Sequence, residues 1–214
     1  MSASETATRK SIESHIEQHI GPIEHVYRSS AASSDIAIAH VAPSDTRPVH
    51  TLITLGLSDR AMSVPRADMP ARMEIMMTLP REWRIAPEVT EERWTWPQAL
   101  LSSIASRAHT QDGWLAWGHL IPNGEPPAPY ASSTRQCAAL IVPSLLVPTD
   151  FYELRSERGT IVFYAVVPLY REELELARTN GTDALFTRLI DRDVNDVVDP
   201  ARRNVARKRF WLFG

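Results

Sequence analysis

The sequence predicts a single α+β domain with a mixed, mainly antiparallel sheet flanked by helices. Three apolar segments, residues 35–42, 49–57 and 73–79, are joined by loops without helix-length spacers, as antiparallel neighbours are. Apolar residues recur with a helical period at residues 96–109. The 214 residues are 43% hydrophobic and 23% charged, which is typical of a globular chain with a substantial core.

The N-terminal segment predicts a helix and a short strand. Isoleucines recur every fourth residue between positions 12 and 20, which indicates a helix over residues 8–20 with one apolar stripe. The Gly-Pro pair that follows ends this helix. Residues 23–27 indicate a lead-in strand. The three strands of the antiparallel set come next, and a proline-containing loop at residues 60–70 separates the second strand from the third.

The middle of the chain predicts a helix, a strand and a loop. The helix at residues 96–109 has Pro97 in its first turn, where the missing N–H costs nothing. Residues 113–121 are apolar and aromatic, and we interpret them as a strand. The proline-rich residues 122–129 indicate an irregular loop between two segments of one sheet.

Two further apolar runs predict strands near the C-terminus. Residues 137–147 contain Pro143, which removes a ladder donor, so we expect an edge strand or two short strands. Residues 160–167 form a β-branched run, which predicts a buried central strand that ends at Pro168.

Two helices follow the last strand. The first spans residues 172–179 and ends at an Asn-Gly pair, and the second spans residues 182–191 with Thr182 as its N-cap. We therefore divide the chain into an N-terminal helix and lead-in strand, an α/β domain and a basic-aromatic tail, at residues 1–34, 35–205 and 206–214.

Composition excludes several classes of protein. A net charge of −3 is too small to indicate a nucleic-acid binder or an acidic tail. Cys137 is the only cysteine and cannot form an internal disulfide, which favours a reducing compartment. The first ten residues lack the apolar core of a secretory signal, and no run of 18 apolar residues predicts a membrane span. We expect a cytoplasmic protein.

One histidine pair has the spacing of zinc ligands. His15 and His19 stand four residues apart on one face of the predicted helix. A third ligand is not identifiable, and Glu17 stands on the far side of the helix. We therefore expect both histidines to face solvent and predict no metal site.

A second histidine pair suggests acid–base chemistry. His109 or His119, paired with Asp112 or Glu74, would form the general base of a hydrolase. The alternative is that both histidines are partly buried structural residues, and this reading is favoured.

One segment is a glycine short of a nucleophile elbow. Ser58 follows Gly56, but Arg60 occupies the place of the second glycine. The alternative is a turn in which Gly56 supplies an unusual backbone dihedral, and we favour it.

Tryptophan is unusually frequent. Five of the six tryptophans fall within residues 83–117. Tryptophan anchors protein cores and interfaces equally well. Trp114 and Trp117 stand three apart and would face opposite sides of a strand, so one of them is expected at the surface.

The C-terminal tail combines basic and aromatic residues. Five basic residues between Arg202 and Arg209 precede Phe210, Trp211, Leu212 and Phe213. An anionic membrane surface or a nucleic acid would suit such a tail. We favour docking of these aromatics onto the same chain or onto a second copy.

Several ordered blocks resemble the suppressor of fused domain family over residues 36–203. They are Val49 to Met62, which contains Thr51-Leu52-Ile53-Thr54-Leu55-Gly56-Leu57-Ser58; Glu74 to Trp83 with Leu79-Pro80; Trp114 to His119; Phe163 to Glu173, with the element Pro168-Leu169-Tyr170-Arg171-Glu172-Glu173-Leu174; and Val198-Asp199-Pro200-Ala201-Arg202. Each block is weak alone, but their order and spacing make chance agreement improbable. The chain is most similar to the short, stand-alone bacterial type.

The resemblance implies a mixed α/β fold, no established catalytic activity, and no cofactor. Longer animal members bind and restrain a zinc-finger transcription factor, whereas stand-alone bacterial members are thought to be immunity proteins. We therefore expect a non-catalytic protein-binding domain that neutralises a cognate toxin, with a hydrolase as the alternative. The expected partner is another protein, with a homodimer as a further option, and neither a nucleic acid nor a membrane. The expected contact residues are Asp59, Trp83, Trp114, Trp117 and His119.

Overall fold

A sheet with helices on both faces forms the framework of the molecule. The computed structural model describes residues 3–28, 35–110 and 113–207. Within these residues the helices are Ala3–His19 (α1), Glu92–Ala108 (α2), Arg171–Asn180 (α3) and Thr182–Ile190 (α4). The strands are Ile23–Arg28 (β1), Ala37–Val41 (β2), Val49–Leu55 (β3), Met73–Pro80 (β4), Leu120–Pro122 (β5), Ala138–Val142 (β6), Glu153–Ser156 (β7) and Gly159–Leu169 (β8).

The strand order is β1-β2-β3-β4-β8-β6-β5, and β7 also pairs with β8. Only the pairing of β4 with β8 is parallel among the described strands, with Met73 opposite Val162 and Met76 opposite Ala165. The remaining pairs are antiparallel. The predicted mixed, mainly antiparallel α+β fold is confirmed.

The sheet is buried on both faces, which explains why its central strands read as continuous apolar runs. Helices α1, α3 and α4 cover one face and α2 covers the other. In β8, Phe163 and Val167 pack toward the first face, while Val162 and Val166 pack toward the second. Successive side chains of β8 therefore still point to opposite faces of the sheet, although the side chains on both faces are apolar.

The prediction of a strand over residues 113–121 is wrong. Only Leu120–Pro122 forms a strand, and the residues before it turn, with the His119 N–H donating to the carbonyl of Ala116 at 3.2 Å. Gly118 has a φ of 83°, a left-handed conformation that interrupts an extended run. The argument that placed Trp114 and Trp117 on opposite faces of a strand therefore does not apply.

The prediction for residues 137–147 is also wrong, because β6 is an interior strand between β8 and β5. The chain leaves the sheet at Val142, before Pro143, so the proline removes no ladder donor. Strand β8 is central as predicted, but it continues through Pro168 to Leu169. Its pairing with β4 ends at Ala165, so the residues beyond have a neighbour on one side only, where proline is tolerated.

Three helix boundaries differ from the prediction. Helix α1 begins at Ala3 and not at residue 8. Helix α2 begins at Glu92, so Pro97 lies inside it and not in its first turn. The sequence did not indicate this start, because the residues before Trp94 are polar and show no helical periodicity of apolar side chains. Gly181, with a φ of 88°, separates α3 from α4 and is the N-cap in place of Thr182. The end of the basic-aromatic tail, residues 208–214, lies outside the described residues.

Candidate partner-binding surface

A buried carboxylate of β4 organises the turn that follows β3. Glu74 has no exposed surface. Its Oε1 accepts the N–H groups of Gly56 and Ser58, both at 3.1 Å, and the Ser58 hydroxyl at 2.6 Å. Its Oε2 accepts the Thr54 hydroxyl at 2.6 Å and the Leu57 N–H at 3.3 Å. Ser58 is therefore a buried donor to Glu74, and the geometry is that of a structural turn.

Burial raises the pKa of the Glu74 carboxyl to about 7, and the hydrogen bonds from Ser58 and Thr54 oppose this shift. Because all five donors converge on one side chain, the carboxylate holds the end of β3 and the Leu57–Asp59 3-10 turn together. No substrate-sized space separates these groups from their partners, so the network serves the fold.

Asp59 connects this turn to helix α1. Its Oδ2 accepts from Nε and Nη2 of Arg9 at 3.1 and 3.0 Å, and both side chains are largely buried. The same guanidinium donates to the carbonyl of Asp35 at 2.5 Å. Gly56, with a φ of 105°, lies directly beneath the guanidinium, where an added Cβ would overlap it. Asp59, predicted to contact a partner, thus holds two elements of the fold together.

A second buried carboxylate joins the two C-terminal blocks. Both oxygens of Glu173 accept from the Arg202 guanidinium at 2.7 Å. The same oxygens accept the N–H groups of Tyr170 and Val205, both at 2.9 Å. The Arg202 guanidinium also lies 5.0 Å from the centre of the Tyr170 ring. This network fixes the segment after α4 against the start of α3.

Trp83 lies in an aromatic cluster beneath the start of α2. It is only 6% exposed, and its Nε1 donates to the carbonyl of Trp94 at 2.9 Å. Its ring meets Trp94 and Trp96 edge to face, and Trp96 stacks on Tyr130 at 5.5 Å. The cluster packs α2 against the sheet, so Trp83 is a core residue and not an exposed contact residue.

The Trp114–His119 block lies around a turn next to β5. The rings of Trp114 and His119 meet edge to face, with centroids 4.1 Å apart. Together with Arg107 they line a cleft of about 280 Å³ between the end of α2 and β5. Burial lowers the pKa of the His119 imidazole, and a hydrogen bond with the backbone of Trp114 opposes this effect.

Trp117 belongs to an exposed apolar patch. Within the described residues the exposed large apolar side chains are Trp117 at 56%, Leu145 at 57% and Ile190 at 51%. Trp117 lines a cleft of about 220 Å³ with Val142 and Phe186 of α4. Leu145 and Ile190 line an adjoining cleft with the same two residues. We call Trp117, Leu145, Phe186 and Ile190 the apolar patch.

A family model described as suppressor of fused protein (SUFU) matches residues 32–203. The chain belongs to the suppressor of fused family. The match agrees with the resemblance over residues 36–203 that the sequence blocks indicated. No curated protein matches the chain.

Solved structures of the suppressor of fused family share the fold. The Sufu–Fu complex structure gives a TM-score of 0.65 at 15% identity, covering 94% of this chain and 92% of that chain. A suppressor of fused homologue from Neisseria gonorrhoeae gives 0.65 at 14% identity, covering 94% and 97%. Drosophila Suppressor of Fused gives 0.55 at 18% identity, with 79% of this chain and 42% of that chain covered.

The suppressor of fused blocks converge on the two buried carboxylates. Thr54, Gly56 and Ser58 of the first block meet Glu74 of the second, and Glu173 of a later block meets Arg202 of the last. These blocks therefore encode the framework of the fold. The Trp114 to His119 block differs, because it contains the exposed Trp117 and contributes to the surface.

The His–carboxylate pairs suggested by the sequence do not form among the described residues. His109 Nε2 lies 2.7 Å from the carbonyl oxygen of Leu57, and both oxygens of Glu74 are occupied by the turn after β3. His119 packs on Trp114. Asp112 lies outside the described residues. The described geometry offers no aligned general base for the hydrolase alternative.

The prediction that His15 faces solvent is wrong. His15 is buried, its Nε2 lies 3.1 Å from the carbonyl oxygen of Phe151, and its ring stacks on the Phe151 ring at 5.0 Å. The ring of His19 lies 4.6 Å away. Within residues 3–28, 35–110 and 113–207, no group of three or more His, Cys, Asp or Glu side chains could hold a metal ion. No described helix is both long and apolar enough to cross a membrane.

His40 in β2 makes the fold sensitive to acid. The ring is 3% exposed, its Nε2 lies 2.9 Å from His50 Nδ1, and its Nδ1 lies 3.5 Å from Glu24. Burial, with further effects from His50 and His25, lowers the pKa of His40 from 6.5 to about 4, while Glu24 opposes this shift. The unfolded chain therefore binds more protons than the folded chain between these pH values, and stability falls as pH falls through this window.

We expect the His40→Gln variant to lose less stability on acidification than the wild type. Glutamine retains a polar group near His50 but does not titrate, so the wild type should lose about 2 kcal/mol more between about pH 7 and pH 5. Urea unfolding at both pH values measures this difference. Parallel losses in the two proteins would show that His40 does not control the acid response.

Sequence reasoning missed most of the apolar patch. Leu145 lies in the segment predicted as a strand, and Phe186 and Ile190 lie in the last predicted helix, so only the fold brings them near Trp117. The sequence of α4 did contain an indication of this patch, because the helix has more apolar residues than the two, Leu185 and Leu189, that are buried in the core. It could not be interpreted without knowing which face of α4 meets the sheet.

Proposed function

We propose that the chain is a non-catalytic protein-binding domain whose partner covers the apolar patch. The observation that carries this proposal is the convergence of Trp117, Leu145 and Ile190 around one phenylalanine, Phe186. Contiguous exposed apolar side chains mark interaction sites, and tryptophan is enriched among the residues that dominate binding energy. Trp114 and His119 line a separate cleft between α2 and β5 and are not part of this patch.

The family relationship supports a protein as the occupant. The relative solved as the Sufu–Fu complex has a protein partner, and its fold covers nearly the whole of this chain. At 15% identity the partner itself cannot be transferred. We extend protein binding alone to this chain, with the patch as the contact surface.

The specific role we propose is that of an immunity protein that neutralises a toxin encoded beside it. The resemblance to stand-alone bacterial members of the family motivates this role. The net charge of −3 would favour encounter with a basic toxin through long-range attraction, most strongly at low salt. We place this encounter in the cytoplasm.

The Trp117→Ala variant tests the surface. Truncation of an exposed aromatic anchor should weaken binding of the neighbouring gene product by about 2 kcal/mol, or roughly thirtyfold. Stability should change little, because the ring is 56% exposed. Titration calorimetry gives the affinity, and growth of cells that co-express the toxin reports its neutralisation.

Arg84→Ala is the matched control, since Arg84 is exposed and does not line the patch. It should leave the affinity unchanged. A complex that forms while the toxin remains active would contradict the immunity role and leave protein binding intact. Absence of any complex at micromolar concentration would count against both. If the chain alone dimerises through Trp117, the occupant is a second copy.

A further inference from the structure

A groove with a cavity volume of about 770 Å³ lies between α3 and the chain segments before β6 and after α4. Its most frequent lining residue is arginine, with six side chains: Arg135, Arg171, Arg192, Arg202, Arg203 and Arg207. Glu172 is the acidic residue among those that line it. This concentration of positive charge is unusual in a chain whose net charge is −3. We call this feature the arginine groove.

Internal ion pairs neutralise only two of these arginines. Arg202 is bound to the buried Glu173, and Arg207 donates to Glu172 at 2.9 and 3.1 Å. Arg171 donates to the carbonyl of Pro127, which leaves its charge uncompensated by a carboxylate. Asp199, just beyond the lining, accepts the N–H of Ala201.

The other three arginines are available for an external anion. Arg135, Arg192 and Arg203 are exposed, and within the described part of the chain their side chains make no hydrogen bond or ion pair. They come from three separate segments, and the fold directs them to one groove. Three unpaired guanidinium groups facing one concave surface favour an anionic ligand.

We propose that the arginine groove binds an acidic segment of a protein, with its Asp or Glu carboxylates paired to Arg135, Arg192 and Arg203. The guanidinium group presents a planar fork of donors that matches a carboxylate, and no lysine lines the groove. Pro127, Pro129 and Pro200 on its walls offer apolar contact for the intervening side chains. This site is separate from the apolar patch and does not depend on the proposed function.

A nucleic acid fits the groove less well than a peptide. A phosphate backbone needs a basic stripe along its whole path, whereas this basic region is confined to one groove of an acidic chain. The chain's own tail is unsuited to the groove, because Arg207 is followed by Lys208 and Arg209, which carry the same charge. Charge complementarity therefore selects a short acidic segment from another protein.

Fluorescence anisotropy with a labelled hexaglutamate peptide tests the proposal, with hexaglutamine as the neutral peptide. Hexaglutamate should bind and hexaglutamine should not, and affinity should fall between about 50 and 300 mM salt. The triple variant Arg135→Glu, Arg192→Glu, Arg203→Glu should bind at least about tenfold more weakly, because three pairings become repulsions. NMR shifts of the wild type on titration should map to the groove, which makes the test independent of the variant's folding.

The triple variant Arg66→Glu, Arg84→Glu, Arg188→Glu is the matched control, because these exposed arginines lie outside the groove and change the net charge equally. It should retain wild-type affinity for hexaglutamate, and Trp117→Ala should also retain it. Equal weakening by both triple variants would overturn the proposal, as would shifts outside the groove. Tighter binding of a single-stranded oligonucleotide, lost in the groove variant, would overturn it in favour of a nucleic acid.

Discussion

Replacing Arg202 with alanine is expected to lower the free energy of unfolding by about 3–5 kcal/mol, because it leaves a buried carboxylate without its countercharge. The side chains of Arg202 and Glu173 are 8% and 0% exposed, and both Glu173 oxygens accept from the guanidinium at 2.7 Å. The variant would also lose the contact of Arg202 with the Tyr170 ring and its hydrogen bond to the carbonyl of Pro168. Urea unfolding monitored by tryptophan fluorescence measures the loss.

Arg207→Ala is the control for Arg202→Ala. Arg207 pairs with Glu172 in the same region, but these side chains are 60% and 45% exposed, so the expected cost is at most about 1 kcal/mol. Equal costs for the two alanine variants would show that burial does not set the strength of the Glu173–Arg202 pair.

A double variant separates the charge from the rest of the network. Arg202→Met with Glu173→Leu should cost less than Arg202→Ala, because no unpaired charge remains. It should not restore wild-type stability, since the N–H groups of Tyr170 and Val205 lose their acceptor. A double-mutant cycle gives the coupling of Arg202 to Glu173 directly.

Local patterns predicted the elements whose own residues determine their structure. Strands β2, β3 and β4 were correctly predicted as antiparallel neighbours, because their apolar runs and short connections suffice to define such a set. The prediction of a strand at residues 113–121 was wrong because the composition of this segment does not determine its backbone conformation. Its aromatic residues suggest a strand, but a turn at Gly118 is fixed by contacts with β6, such as the Gly118 N–H to the carbonyl of Ile141 at 2.8 Å.

The candidate surfaces were predicted less well, because they depend on distant segments. The prediction that either Trp114 or Trp117 lies at the surface rested on a strand that does not form, although Trp117 is exposed. Trp83 and Asp59 are held within the fold by hydrogen bonds with Trp94 and Arg9. The arginine groove brings together arginines from positions 135 to 207, and only those from position 202 onward form a visible cluster in the sequence. Whether a charged side chain can bind a partner depends on its burial and on its ion pairs, and both are set by residues that are distant in the sequence.

The Glu74→Gln variant is expected to lose about 2–4 kcal/mol of stability, although the two side chains have nearly the same shape. Glu74 accepts five hydrogen bonds and donates none. An amide in its place must point two N–H donors at groups that are themselves donors. The hydroxyls of Thr54 and Ser58 can rotate to accept, but backbone N–H groups cannot.

Either orientation of the amide therefore leaves a buried donor unpaired. With NH₂ at the Oε1 position, the N–H groups of Gly56 and Ser58 lose their acceptor, and at the Oε2 position the N–H of Leu57 does. The second orientation leaves fewer donors unpaired and should be adopted. Ser58→Ala removes a single donor and should cost only about 1 kcal/mol, and Glu82→Gln, at an exposed position, should lie within about 0.5 kcal/mol of wild type.

The pH dependence of the Glu74→Gln cost distinguishes electrostatics from packing. Because burial raises the pKa of Glu74 from 4.5 to about 7, the folded wild type binds a proton over this range that the unfolded chain does not. The wild type therefore gains stability on acidification through this window relative to the glutamine variant, which does not titrate there, and the cost of the substitution should grow as pH falls from about 7 to about 4.5. A cost that stays constant over this range would mean that the loss arises from the amide's geometry alone and that Glu74 remains ionised in the turn.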